Sequence, residues 1–346
     1  MSPSTRRKLI HFVGGPIAFL VSFVLFAYWT FPYDRLRDWI VQEVERPESS
    51  GGVRTPSGYT LEIRSLSPSW VTGVELEGVR FSKLSREPGG RPLVIEADEV
   101  DARISLLSLL AGNISLTFDV AIGGGTIEGE FEKTDEATHV EAEVADVDVK
   151  RLGILRDLIG LPVTGSLGGS VNVTLALETK NTAGNVDLHV ANVNIGDGRA
   201  ELRRRAGTKG LVIERLGAGR LTLQAEIREG VARISKIEAN GSDIEVDGSG
   251  TIRLAQPLRM SRAELMLRVK IADGYKNRNT RTRALFELMD FDPELSAAKT
   301  PDGALQWRLE GTFGAGLRST PAGRAPPRTH AARGAGGGGR SGDDDE

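Results

Sequence analysis

Cysteine is absent from this chain of 346 residues, and only four histidines are present. Without cysteine there can be no disulfide, no thiolate nucleophile and no cysteine-ligated zinc or iron–sulfur site. Of the histidines, His139 and His189 fall in regularly patterned segments, on the polar side of alternating strands, where we expect them to be solvated. Little is therefore left for general-base chemistry.

A surplus of basic charge is also missing, because 44 Lys+Arg are offset by 47 Asp+Glu, a formal net charge of -3. This balance excludes a strongly basic protein that neutralises phosphates, so no nucleic-acid partner is predicted. Aromatic residues make up only 5% of the chain, whereas glycine occurs 42 times. Such a composition favours many strands and turns over a helical bundle.

The first apolar segment, residues 9–31, contains no formal charge. As a helix at ~1.5 Å per residue it is about 35 Å long, enough to span a bilayer. Arg6, Arg7 and Lys8 precede it, so the positive-inside rule places residues 1–8 in the cytoplasm. A cleaved signal peptide is the alternative, but the run is long and ends without a pair of small residues, which favours an uncleaved anchor.

The chain after the anchor has no second apolar run of comparable length, so we predict it on the far side of the membrane. The lack of cysteine suits a bacterial periplasm. Residues 32–57 are expected to extend the membrane helix and then form a polar linker. From residue 315 onwards Leu317 is the one large apolar residue, so residues 315–346 are predicted to be a disordered tail.

Apolar residues recur at every second position between residues 58 and 314, for example from Ile114 to Ile122. This period predicts strands with one apolar and one polar face. Short connections rich in Gly, Asn and Asp make successive strands antiparallel neighbours. We predict about twelve to fourteen strands, together with short helices over residues 150–159 and 282–290.

A sheet of this kind can close into a barrel, fold into a sandwich or curl into an open trough, and the pattern alone does not choose among them. Its apolar side consists of medium-sized aliphatic residues and glycines, whereas a compact sandwich usually includes some large aromatic residues. The sequence therefore predicts a mainly β protein, in which a transmembrane helix precedes an elongated, curled antiparallel sheet with a few short helices.

Local motifs predict no catalytic, cofactor or metal site. Gly123-Gly124-Gly125 leads into a strand rather than into a helix with a Lys-Ser/Thr pair, so it is interpreted as a hairpin turn and not as a phosphate loop. Clustered acids, such as Asp98 and Asp101, follow the polar phase of the strands. The basic run at residues 203–205 could contact lipid headgroups or an acidic partner, or be a solvated loop. We expect a protein that is not an enzyme.

The order of several segments carries a family resemblance. These segments are LSPSWVTGVEL at 66–76, IEADEVDARISLL at 95–107, LLAG at 109–112, GGTIEG at 124–129, LPVTGSLGG at 161–169, GSGTIRL at 248–254 and DGAL at 302–305. Together with the anchor they resemble the myxobacterial or deltaproteobacterial form of the GspN family, the N component of the type II secretion system, over residues 9–314. The middle segments are also similar to the broader AsmA-like group of membrane-anchored periplasmic proteins.

This resemblance implies a single-pass protein of the bacterial inner membrane, with a cytoplasmic N-terminus and a periplasmic β domain. It implies an accessory or assembly role in type II protein secretion, with other secretion components as partners, either in the inner-membrane platform or at the secretin. The family defines no catalytic residues, so none are carried over. The C-terminal tail departs from the family pattern.

A second hypothesis is a lipid-binding or lipid-transfer module, because AsmA-like relatives are thought to shelter acyl chains on the apolar face of a curled sheet. Each buried CH₂ of a bound chain gains about 0.8 kcal/mol, so phospholipid could be held without a charged site. The same side chains could instead pack against one another as an ordinary core. The expected lining of the groove is Leu116, Phe118, Val173, Leu175, Leu223 and Leu267.

Overall fold

A computed structural model describes residues 19, 22, 26, 29–30, 32–46, 48–50, 53–55, 58–69, 73–84, 92–105, 108, 111–153, 156, 160–199, 201–202, 211–212 and 214–323. Fourteen strands form one antiparallel sheet, and the helices are few and mostly short. The mainly β fold class predicted from the sequence is therefore confirmed.

The fourteen strands lie side by side in the order of the sequence, each paired antiparallel with the strand before and the strand after it. They are β3 (Tyr59–Ser69), β4 (Gly73–Lys83), β5 (Leu93–Ile104), β6 (Ile114–Ile122), β7 (Gly125–Lys133), β8 (Ala137–Asp148), β9 (Val163–Ala176), β10 (Ala183–Ile195), β13 (Leu216–Arg228), β14 (Val231–Asn240), β15 (Ile244–Arg253), β16 (Arg262–Ile271), β17 (Leu305–Thr312) and β18 (Gly316–Pro321).

Strands β3 and β18 lie at opposite edges, so the sheet is not closed into a barrel. The other sheets in the described part of the chain are two small hairpins, β1 (Glu48–Ser50) with β2 (Val53–Thr55) and β11 (Glu201–Leu202) with β12 (Leu211–Val212). Neither hairpin is large enough to form the second half of a sandwich. The first hairpin lies within the segment that we predicted to be a linker.

The cross-strand register shows how the alternating sequence sorts into two faces. Phe118 lies opposite Gly129, which lies opposite Ala142, and this row continues through Val171 and Val186. Because side chains alternate across a strand, the residues between these positions point to the other side. We call the side that carries this row the apolar face and the opposite side the polar face.

The strands also define two ends of the sheet. At the helical end, β9 and β13 begin and β16 leads into a helical segment. The turn end is the opposite end of the strands, and it carries the connections at residues 177–182, 229–230, 254–261 and 313–315. At ~3.3 Å per residue a strand of ten residues separates the two ends by about 33 Å.

Helix α1 (Tyr33–Glu45) precedes the sheet and contacts β3. Its half-buried positions include Tyr33, Leu36, Ile40 and Val44, the spacing of a helix with one face against a neighbour. The helix predicted after the anchor is thus present. The anchor itself, residues 9–31, lies mostly outside the described residues, and among those that are described no helix has both the length and the apolar character needed to cross a bilayer.

A one-turn helix, α2 (Val149–Leu152), follows β8. The Asp148 side chain caps its start by accepting from the Lys150 N–H, at 3.0 Å. Gly153 then takes a left-handed conformation, with φ 67°, which ends the helix. The helix predicted over residues 150–159 is therefore interrupted at Gly153. Part of it, residues 154–155 and 157–159, lies outside the described residues.

Three helices between β16 and β17 form what we call the helical cap: α3 (Asp273–Lys276), α4 (Thr280–Asp290) and α5 (Pro293–Ala298). Helix α4 confirms the helix predicted over residues 282–290, and it begins at Thr280 because the Asn279 side chain accepts from the Thr282 N–H at 2.9 Å. The cap packs on the apolar face at its helical end. There it completes the main buried cluster, which contains Val149, Val163, Val190, Val193, Leu216, Ala218, Ile244 and Tyr275.

The sheet continues beyond residue 314, where we expected the tail to begin. Strand β18 pairs with β17 from Thr312↔Gly316 to Trp307↔Pro321. The prediction for residues 315–323 is thus wrong, because an exposed edge of β17 supplies hydrogen-bonding partners that the polar sequence alone does not reveal. The remainder of the predicted tail, from residue 324, lies outside the described residues.

Candidate functional site

All six residues that we predicted as a groove lining lie on the apolar face. Leu116 is opposite Phe131, Phe131 is opposite Val140, and Val140 is opposite Val173. Leu223 and Leu267 follow in the same phase through their partners Leu188 and Gly248. Each of the six, including Phe118 and Leu175, is half-buried rather than enclosed. The structure therefore brings these residues onto one surface that retains access to solvent.

The same face carries further apolar side chains that we did not include in the predicted groove lining. The signal for them was available, since they occupy the same phase of the same alternation. They are also half-buried, and they include Val120, Ile127, Phe131, Val140, Val171, Val186, Leu188, Ile237, Val246, Leu265, Trp307 and Leu309. The apolar face thus extends across the sheet from β6 to β17.

Glycines lie beneath some of the large side chains on this face. A Cβ atom added at Gly129 would overlap the backbone oxygen of Glu141 and lie 2.7 Å from Phe118 Cζ. One added at Gly248 would lie 3.1 Å from Leu267 Cδ1. Phe118 and Leu267 therefore occupy space that a side chain at Gly129 or Gly248 would fill. The apolar face is less filled by side chains at these positions.

The helical cap is fixed to the sheet through Tyr275, which is 2% exposed. Its hydroxyl donates to the Glu214 carbonyl oxygen at 2.7 Å. Its ring packs edge-on against Phe286, with centroids 6.1 Å apart, and the Arg278 guanidinium carbon lies 4.8 Å from the ring centroid. Burial raises the pKa of Tyr275 to about 12, so the phenol stays neutral and keeps donating at physiological pH.

An ion pair reinforces the same contact. Arg278 Nη2 donates to Asp243 Oδ1 at 2.6 Å, and Asp243 Oδ2 accepts from the Gly217 N–H at 2.8 Å. Asp243 is buried, and its two oxygens are both used, so the charge is compensated. The segment between α3 and α4 is thereby tied to the starts of β13 and β15.

A cavity of about 340 Å³ lies between the helical cap and the sheet. Its apolar lining comprises Val269, Ile271, Phe286, Met289, Leu295 and Leu305. Lys276 and Lys299 also border it, and each is ion-paired to a neighbouring aspartate, Asp273 at 2.9 Å and Asp290 at 3.1 Å. The lysine hydrogen bond holds the pKa of Asp273 below its usual value, so this pair remains charged at neutral pH.

At the turn end, the connection at residues 254–261 reaches over the sheet. Gln256 Nε2 donates to the Ala176 carbonyl oxygen at 2.7 Å, although β10, β13 and β14 lie between the strands that end there. A second cavity, of about 260 Å³, lies beneath this connection and is lined by Leu175, Thr138 and Pro257, among others. One predicted lining residue, Leu175, is thus covered by this connection.

The polar face carries a row of carboxylates across five neighbouring strands, which we call the acidic row: Glu75, Asp101, Asp119, Glu128 and Glu143. Directly opposed like charges are destabilising. Desolvation raises the pKa of Glu75, and the nearby charges of Glu99, Asp101 and Glu77 raise it further. The folded state therefore binds the Glu75 proton more tightly than the unfolded chain does, and this stabilises the fold at low pH. The stabilisation is lost as the pH rises through the folded pKa of Glu75.

The other candidates from the sequence contribute little to a site. Within the described part of the chain, no group of three or more His, Asp or Glu side chains is arranged to hold a metal ion. Residues 203–205 lie outside that part. Gly123 and Gly124 form the turn between β6 and β7, with φ 62° and 79°, as the hairpin interpretation predicted.

Comparisons of the chain with models of protein families, with curated proteins and with solved structures gave no match.

Proposed function

We propose that this protein shelters the acyl chains of lipids on the apolar face of its sheet, outside the cytosol, while its N-terminal segment holds it at a bacterial inner membrane. One observation carries the proposal: the apolar side chains of a large single sheet are only half-buried, and no second sheet covers them in the described part of the chain. A contiguous apolar surface that stays partly exposed to solvent is typical of a binding surface.

The energetics require no charged site. About ten methylenes of an acyl chain sheltered on this face would gain roughly 8 kcal/mol from removal from water. Part of this gain is offset by the lost freedom of the bound chain. The protein would then act by binding and not by catalysis.

A curled sheet would shelter a chain better than a flat one, and two features support curling. Every ladder from β8 to β15 contains a register shift, and such bulges bend strands and increase their twist. The Gln256–Ala176 hydrogen bond joins the ends of strands that are four spacings apart, about 19 Å in an uncurled sheet. We therefore propose an open trough with the apolar face inside.

Native mass spectrometry of the full chain extracted in detergent tests this proposal. We expect bound phospholipid on the wild type and its loss in Val173→Lys, because an ammonium placed on the apolar face must be desolvated when a lipid binds. Asn172→Lys is the matched control, since Asn172 is the preceding residue of β9 and is exposed on the polar face.

Far-UV circular dichroism establishes that both lysine variants are folded before their lipid content is compared. A wild-type protein without lipid would contradict the proposal, as would equal retention of phospholipid by Val173→Lys and Asn172→Lys.

The acidic row favours a second proposal, an accessory role in type II secretion. A line of carboxylates on the polar face provides charge complementarity for a basic protein surface. The partner would be a component of the inner-membrane platform or the secretin. This role is compatible with lipid binding, because the two proposals use opposite faces of the sheet.

Site-specific crosslinking tests the secretion role, and the absence of native cysteine makes single-cysteine variants unambiguous. In cells that express the platform and the secretin, we expect a thiol crosslinker on Glu128→Cys to capture one of these components. The same reagent on Glu287→Cys, an exposed position of the helical cap, should capture far less. Equal capture from the two positions, or unimpaired export after deletion of the gene, would contradict this role.

A further inference from the structure

The cavity beneath the helical cap is continuous with the apolar face. Two of its lining residues, Val269 and Leu305, are a cross-strand pair on that face. The next pair on the same face, away from the cap, is Leu267 with Trp307, and both of these side chains are half-buried. An amphiphile whose chain lies along this part of the face can therefore place its other end in the cavity.

The cavity has an apolar lining that is bordered by basic side chains. Both the sheet and the cap contribute apolar side chains to the lining, and Lys276 and Lys299 add two ammonium groups at its border. The side chains of these lysines are 32% and 50% exposed, and each ammonium has three donors, of which its aspartate partner engages one. Asp290 is the one carboxylate in the lining, and Asp273, the partner of Lys276, lies outside it, so the unused ammonium donors supply the groups that an anion can bind.

We infer that this cavity binds the anionic headgroup of the amphiphile whose acyl chain lies on the apolar face. The inference rests on the proposed lipid-binding function and names its ligand class: an acyl chain that ends in a phosphate or carboxylate. The volume of about 340 Å³ lies within the range of small-molecule sites, ~300–1,000 Å³. The Arg278–Asp243 pair and Tyr275 keep the cap over the cavity whether or not it is filled.

A competition experiment tests the inference on the full chain in detergent. Phosphatidylglycerol, palmitate and a diacylglycerol with the same acyl chains as the phosphatidylglycerol are added in equal amounts, and native mass spectrometry counts what is bound. We expect about a threefold to tenfold excess of an anionic probe over diacylglycerol, because partly exposed ion pairs are individually weak. The ratio of phosphatidylglycerol to palmitate identifies whether the headgroup is a phosphate or a carboxylate.

Two sets of variants locate the site. Lys276→Ala/Lys299→Ala should bring the anionic excess close to parity, whereas Lys236→Ala/Lys180→Ala, which removes two exposed lysines that are ion-paired elsewhere, should leave it unchanged. Ser296→Trp should fill the cavity and lower anionic binding at least threefold. Ala297→Trp, at the next and exposed position of α5, should not.

The outcomes separate this inference from the function on which it rests. If diacylglycerol is retained to the same extent as the anionic probes, and the lysine substitutions do not change this ratio, the headgroup site is overturned. Lipid binding itself is then left intact. Retention of none of the three probes would overturn both.

Discussion

Replacing Tyr275 with alanine is expected to lower the free energy of unfolding by about 3–5 kcal/mol, the range for deletion of a large buried ring. The Tyr275 ring is 2% exposed and belongs to the main buried cluster. The substitution also removes the hydrogen bond to the Glu214 carbonyl and the contact with Phe286. Denaturant unfolding of the full chain in detergent, followed by circular dichroism, measures the change.

Tyr275→Phe is the matched control, because it keeps the ring and removes only the hydroxyl. We expect a loss of about 1 kcal/mol from the missing hydrogen bond. An alanine variant as stable as the phenylalanine variant would show that the cap does not depend on this ring.

The wild type and Tyr275→Phe should also differ in how their stability responds to alkali. The pKa of Tyr275 is raised from 10.0 to about 12, so the folded state holds the phenolic proton more tightly than the unfolded chain. The stability that this provides is complete below pH 10 and is lost as the pH rises through about 12. Tyr275→Phe should lack this part of the alkaline destabilisation.

Replacing Gly129 with valine is expected to destabilise the sheet by about 2–3 kcal/mol, since added bulk must displace backbone that is already in place. A Cβ atom at Gly129 would overlap the backbone oxygen of Glu141 on β8, and it would press against the Phe118 ring on β6. Neither neighbouring strand can yield without disturbing its own ladder. Thermal unfolding of the full chain in detergent measures the effect.

Glu130→Val tests whether the cost comes from the position rather than from valine itself. Glu130 is the next residue of β7, is exposed on the polar face, and lies opposite the like-charged Glu141. We expect this variant to be within about 0.5 kcal/mol of the wild type, as for most surface substitutions. Equal destabilisation by the two valines would contradict the crowding at Gly129.

The strands could be predicted from the sequence because their signal is local. Alternation such as that of Val171, Val173 and Leu175 depends only on the chain's own period, and the structure places these residues on one face. The start of α5 also carried a readable signal, Asp292 as N-cap followed by Pro293, which we did not use.

Features that depend on pairing were not predictable in this way. The acidic row exists because five strands align Glu75, Asp101, Asp119, Glu128 and Glu143, and a one-residue slip in any ladder would break it. Strand β18 forms on an edge that β17 provides. Likewise, the 340 Å³ cavity forms where the cap packs on Val269 and Leu305 of β16 and β17. The alternation of the strands does not reveal that helices cover these two residues.

The strictly sequential strand order has a consequence for how such a chain folds and how its length can change. Because every strand pairs with its neighbours in sequence, each pairing needs only two adjacent strands, so the sheet can form hairpin by hairpin. The insertion of β11 and β12 between β10 and β13 leaves all other pairings in place. Duplication of one hairpin would likewise lengthen the structure by about 10 Å without rewiring any existing pair. The length of the sheet, measured across its strands, is thus the dimension that evolution can most easily adjust in this architecture.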